Sequence, residues 1–188
     1  MASGYHSSIQ LFTADESLSS DKYYRDVGNI ESSGFSYTKF KVTKEVGDGA
    51  VWLVYSEPNY GRAGGGVGSS VFAYPDQLYV ANAGFAIKSI QAFDITQPCI
   101  CLFEHSQYRG NKLAIAQSVE DIRKFFPPGE VAGLSSAIAT SGKWSVYTKP
   151  GYNGPHQDVD ALGGSQSVPL FQTLNDKVQS IQLVIASP

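Results

Sequence analysis

Three stretches of the chain, VWLVYSEPNYGR (51–62), ICLFEHSQYRGN (100–111) and WSVYTKPGYNGP (144–155), lie over one another without gaps. Each runs an alternating apolar strand into an aromatic residue, then four residues, then a second aromatic. A further apolar segment, KSIQAF, SAIATS or QSIQLV, follows each at near-constant distance. The intervals from Tyr55 to Ser89 and from Phe103 to Ala137 are equal, and that from Tyr147 to Ser180 is one position shorter. A period of about 44 residues, with one strand-hairpin-strand unit in each, is the mark of duplicated β architecture, because such a unit buries its apolar face only against its neighbours.

The segment 1–48 carries a fourth, eroded copy. SIQLF (8–12) matches the opening strand and GFSYTKFKV (34–42) matches GFAIKSIQA (84–92), but no paired aromatics follow Phe12, and the interval from Phe12 to Lys39 is well short of the other three. FDITQPC (93–99) interrupts the strand pattern with Asp, Thr and Pro, and a proline cannot donate to a sheet ladder. The copies therefore group as two pairs, residues 1–96 and 97–188. One short helix is predicted in SVEDIRKFF (118–126), with Ser118 as its cap and Asp121 three residues on. An all-β chain rich in turns accounts for the 19 Gly, 11 Tyr and 10 Phe.

The hairpin spacing has a physical use. A first aromatic can lie under a turn folded back over its own sheet and pack on the second, while a residue at positive φ reverses the chain. Gly110 and Gly154, two places after the second aromatic, supply that residue; in the second copy Gly61 follows Tyr60 directly, so that turn must differ.

This pattern resembles the βγ-crystallin superfamily over nearly all of 8–185. The resemblance implies two β-sandwich domains, each of two four-stranded sheets built from two intertwined Greek keys. It also implies calcium sites, for which each key supplies Asn/Asp, Asn/Asp, two variable residues, Ser/Thr and Ser; each site takes a side chain and a carbonyl from one key and a hydroxyl and a hairpin carbonyl from the other. Oxygen donors on turns suit Ca²⁺. Carried across by position, NDKVQS (175–180) and AGLSSA (132–137) give one site of Asp176, the Lys177 carbonyl, Ser136 and the Glu104 carbonyl. A second, impoverished site is left with the Leu134 and Thr148 carbonyls and Gln179, without a carboxylate. In the first pair Phe35 and Phe85 replace the acidic residue and Lys88 replaces one hydroxyl, although Thr38 remains; no calcium is expected there. In the family the final Ser ties down its own hairpin; Ser89 and Ser180 match it, while Ala137 and Lys39 do not.

Other chemistry finds little support. GRAGGGVGSS (61–70) lacks the lysine of a phosphate loop and any βαβ context. His6, His105 and His156 are too scattered for zinc, and no Ser-His-Asp arrangement with a nucleophile elbow is present. The net charge of −3 divides into 7 basic and 10 acidic residues in 1–97 and 7 of each in 98–188, which gives no electrostatic footprint for nucleic acid or an anionic membrane. Cys99 and Cys101 flank Ile100 on one strand face, too strained a pair for a disulfide, so free buried thiols are expected. MASGYHSSIQ lacks an apolar signal core, so a cytoplasmic protein is expected. The function expected is that of a non-enzymatic structural or stress-related monomer with paired domains and calcium in its second domain. The alternative is a lectin-like or pore-assembly-associated recognition module.

Overall fold

The computed structural model describes residues 4–31, 34–62, 68–126 and 133–186; the centre of the glycine-rich run (63–67) and Ala132 lie outside them. The chain divides into two compact units, Met1–Ile95 and Thr96–Pro188.

In the first unit, β1 (Ser7–Phe12), β2 (Lys39–Lys44), β3 (Ala50–Tyr55), β4 (Ser70–Ala73), β5 (Ala81–Asn82) and β6 (Ser89–Asp94) form two antiparallel sheets, ordered β1-β2-β5 and β4-β3-β6. In the second, β7 (Cys99–His105), β8 (Arg109–Ile115), β9 (Ser136–Ser141), β10 (Lys143–Lys149), β11 (Asn153–Asp160), β12 (Gln166–Val168) and β13 (Ser180–Ile185) form sheets ordered β12-β9-β7-β8 and β11-β10-β13. The third strand of each key crosses to the sheet of its partner key. β5 joins β2 and β12 joins β9, while the corresponding segments of the first and third keys are reduced to single bridges, Val27 to Ile90 and Val119 to Ile181. Two interlocked Greek keys per unit result, and among the described residues one of the four sheets reaches four full strands.

Each unit closes on its own core. Alternation sends Trp52 and Val54 of β3 inward with Ile9, Leu11, Phe40 and Ile90; Ile100 and Leu102 of β7 meet Trp144, Val146, Phe171 and Ile181. The Trp144 indole N–H donates to the Ser141 carbonyl at 2.9 Å, which satisfies its polar edge within that core. Cys99 and Cys101 are buried and free of any disulfide.

The helix expected over 118–126 is a single 3₁₀ turn, Ile122–Phe125, and its cap is Asp121, whose side chain accepts the Arg123 N–H. Val119 bridges Ile181 and the Ser118 hydroxyl accepts the Leu183 N–H at 2.9 Å, so the chain stays extended through 119 and Ser118 cannot serve as the cap. Among the described residues no helix is long and apolar enough to cross a membrane.

Candidate metal centre

The three paired-aromatic hairpins share one construction. Tyr55 and Tyr60, Phe103 and Tyr108, and Tyr147 and Tyr152 pack with ring centroids 6.0, 5.7 and 6.1 Å apart and planes steeply inclined. Two consecutive residues take the left-handed conformation at each fold: Asn59 and Tyr60, Gln107 and Tyr108, Gly151 and Tyr152. A buried serine secures each one. The Ser89, Ser136 and Ser180 hydroxyls donate to the carbonyls of Glu57, His105 and Lys149, each at 2.6 Å. They accept the N–H groups of Tyr60, Tyr108 and Tyr152 at 3.0, 3.1 and 3.0 Å. The second copy thus enters its turn as the others do; it differs on leaving, where Gly61 at φ 68° takes the place of the later glycine.

This correspondence moves the third key by one residue. Its tie is Ser136, paired with Phe103 across the ladder as Ser180 is with Tyr147, and not Ala137. The hairpin of key three therefore keeps its serine. The residue just before the tie has its own signature. Thr38, Lys88, Ser135 and Gln179 donate their N–H groups to the carbonyls of Phe12, Tyr55, Phe103 and Tyr147. Their own carbonyls accept from Ala83, Ile30, Phe171 and Ile122. Leu134 and Val178 form an isolated antiparallel bridge between the keys.

Of the two adjacent serines, the one at the candidate site is therefore Ser135. Its Oγ lies 2.6 Å from Asp176 Oδ1 and 2.9 Å from the Glu104 carbonyl oxygen, and it accepts the Asp176 N–H at 3.2 Å. The motif carried across by position names Ser136 as the ligand, but that hydroxyl is consumed in the hairpin tie on the other side of the strand. Asp176 is exposed and left-handed at φ 55°, a conformation aspartate tolerates better than most residues, and Asn175 Nδ2 donates to its second carboxylate oxygen at 2.9 Å. Lys177, next along the turn, is held by its N–H on the Leu174 carbonyl at 3.0 Å. Glu104 carries more than its carbonyl: its side chain accepts the Asn111 N–H at 3.1 Å and lies against Gly110, whose φ of 80° lets the chain pass.

The impoverished set also shifts. The residue matching Lys177 is Gly133, not Leu134, whose side chain is buried in the core. Gln179 donates its N–H to the carbonyl of Tyr147, the residue before Thr148, at 2.8 Å. The adjoining Asp121 is clamped by Arg123 through two contacts of 2.8 Å, and this ion pair holds its carboxyl well below the ordinary 3.8, at about 2.

In the first unit Phe85 packs against the core and Phe35 packs edge-on to Tyr37 at 5.2 Å, so neither position offers oxygen. Lys88 lines an open cleft of about 540 Å³ with Glu31, Ser56 and Glu57, and its backbone bond to Tyr55 makes it the counterpart of Ser135 in key three. Among the described residues no three His, Cys, Asp or Glu side chains gather as a metal cluster. Any cation site there must draw mainly on carbonyl and hydroxyl oxygen.

Paired Greek keys with serine-tied folded hairpins define a fold of the βγ-crystallin type. Residues 99–184 match the family Beta/Gamma crystallin. Gamma-crystallin D of Bos taurus is 24% identical over 143 residues, 73% of this chain and 76% of that protein. Geodin, a beta-gamma crystallin from Geodia cydonium, superposes on 95% of this chain and 99% of its own with a TM-score of 0.73 at 22% identity, which establishes the two-domain fold. The family match thus lies within the second unit, and the likeness that spans the whole chain is one of fold.

Proposed function

We propose that this is a non-enzymatic, cytoplasmic structural or stress-related protein whose second unit binds one calcium ion. The ligands are one Asp176 carboxylate oxygen, the Lys177 carbonyl, Ser135 Oγ and the Glu104 carbonyl. The observation that carries the reading is the convergence of oxygens from two keys on Ser135 Oγ, at 2.6 and 2.9 Å. Such spacing, with one carboxylate at the protein surface and open positions for water, fits a hard cation that takes six to eight oxygens at about 2.3–2.6 Å. When bound, the ion supplies a link between the two keys. The chain's own residues do the rest: Ser136 holds the Glu104 turn, and the left-handed turn at Asp176 aims its carboxylate back across the sheet. Binding to the folded state alone stabilises it by mass action, by about 2.7 kcal/mol at a calcium concentration 100 times Kd.

The test is a calorimetric calcium titration of the wild type and Asp176→Ala. One binding event, lost in the variant, supports the proposal; no heat from the wild type at millimolar calcium sinks it.

A second reading, a recognition module, has one observation in its favour. Leu78 and Tyr79 stand side by side, each 81% exposed, on a loop pinned to β2 by Gln77 and Asp76. Glycan-array binding that disappears in Tyr79→Ala would establish it.

A further inference from the structure

Gly133 sits where the two keys cross. A Cβ built on it would lie 2.2 Å from the Asp176 carbonyl oxygen, 2.3 Å from its carbonyl carbon and 2.7 Å from the Lys177 N. These are backbone atoms of the turn that carries the carboxylate, so no side-chain rotation relieves them. Gly133 has no positive φ to require glycine; what requires it is the close approach of another chain segment.

We propose that Gly133 is a positioning residue for the cation site, a role that rests on the calcium reading above. Its missing side chain lets segment 133–135 close onto the turn at 176–177, and that closure brings Ser135 Oγ to 2.6 Å from Asp176 Oδ1 while the same hydroxyl stays 2.9 Å from the Glu104 carbonyl. With alanine, the contact at 2.2 Å must open beyond 3.0 Å, a movement of roughly 0.8 Å. Calcium tolerates oxygens only over about 0.3 Å, from 2.3 to 2.6 Å, so a shift of that size takes at least one key's oxygens out of range. The Ser136 tie lies on the opposite strand face and stays intact, so the hairpin remains folded while the site comes apart.

The role is also legible without metal. In the ion-free protein the Ser135 hydroxyl can donate to the Asp176 carboxylate, and this bond spans the two keys. Gly133→Ala should uncouple it.

The experiment has two arms. Calcium titration of wild type and Gly133→Ala should show affinity falling by about tenfold or more, the scale on which supporting residues act. In chelator, thermal denaturation of Ser135→Ala, Asp176→Ala and the double variant measures their coupling, first in the wild-type background and then in that of Gly133→Ala. Coupling present with glycine and absent with alanine supports the proposal, even if the wild type takes up no calcium, in which case only the calcium reading fails. Coupling that persists in Gly133→Ala, or an unchanged calcium affinity there, overturns it. Should Gly133→Ala not fold, Gly133→Ala with Val178→Ala gives the opposed segment room to retreat, and the same two outcomes decide.

Discussion

Replacing Ser136 by alanine separates the two assignments of the serine pair. The hydroxyl of this fully buried residue donates to His105 at 2.6 Å and accepts from Tyr108 at 3.1 Å. Losing the donated bond costs about 1 kcal/mol net and losing the bond from the buried Tyr108 N–H about 1–3 kcal/mol, so the loss is about 2–4 kcal/mol. For a unit the size of Thr96–Pro188, each kcal/mol moves Tm by about 4–8 °C, so its transition should fall by at least about 8 °C. The assay is scanning calorimetry in chelator, where no ion can contribute. Calcium titration of the same variant should still show binding, because Ser136 is not a ligand; Ser135→Ala should lose it. The reasoning is refuted if Ser136→Ala melts within about 2 °C of wild type in chelator while abolishing calcium binding, the behaviour of a ligand and not of a tie.

Glu104→Ala should leave calcium affinity within about threefold, since only the backbone oxygen faces the site, yet lower the thermal stability of the second unit through the lost Asn111 contact; titration and calorimetry on one sample read both. Asp15, which accepts from Thr13 and Ser17, and Asp121, paired with Arg123, have carboxyls lowered to about 2 from an ordinary 3.8. A depressed folded value means the stabilisation is present above about pH 4 and is lost as pH falls toward 2, so carboxyl NMR titration should give midpoints near 2, and Asp121→Asn should flatten the acid limb of stability. Cys99 and Cys101 should both resist a thiol reagent in the native protein and react together on unfolding.

Most of the architecture is legible in the sequence because strand alternation and the aromatic spacing are imposed locally. Trp52, Ile100 and Trp144 point into cores for the same reason that they alternate with their neighbours in the chain. The eroded first key is legible as well: Phe12 does pair with Lys39 across β1 and β2. Its replacement hairpin is not, because the Thr13, Asp15 and Ser17 hydroxyl-carboxylate turn leaves no spacing signal. At the candidate site the Asn175-Asp176 pair points to Asp176, whereas the motif read over 132–137 sets the hydroxyl at Ser136, one residue after the serine that contacts Asp176. Either serine can fill the Ser/Thr place, although Ser135 also leaves Ser136 for the final Ser, and on a strand a one-residue slip exchanges the faces. The decisive signal lies in the interval: Phe103 to Ser136 equals Tyr147 to Ser180, and both pairs face each other across a ladder. The requirement for glycine at 133 has no sequence signature, since it arises from the turn at Asp176, remote in the chain, whose carbonyl oxygen would lie 2.2 Å from a Cβ placed there.

A crystal structure grown with millimolar calcium tests the central claim most directly. The account predicts one ion in the second unit, with Asp176, the Lys177 carbonyl, Ser135 Oγ and the Glu104 carbonyl all within about 2.3–2.6 Å and Ser136 still bonded to its hairpin. An ion ligated by Ser136, or well-ordered density that leaves this position without a cation, would contradict it.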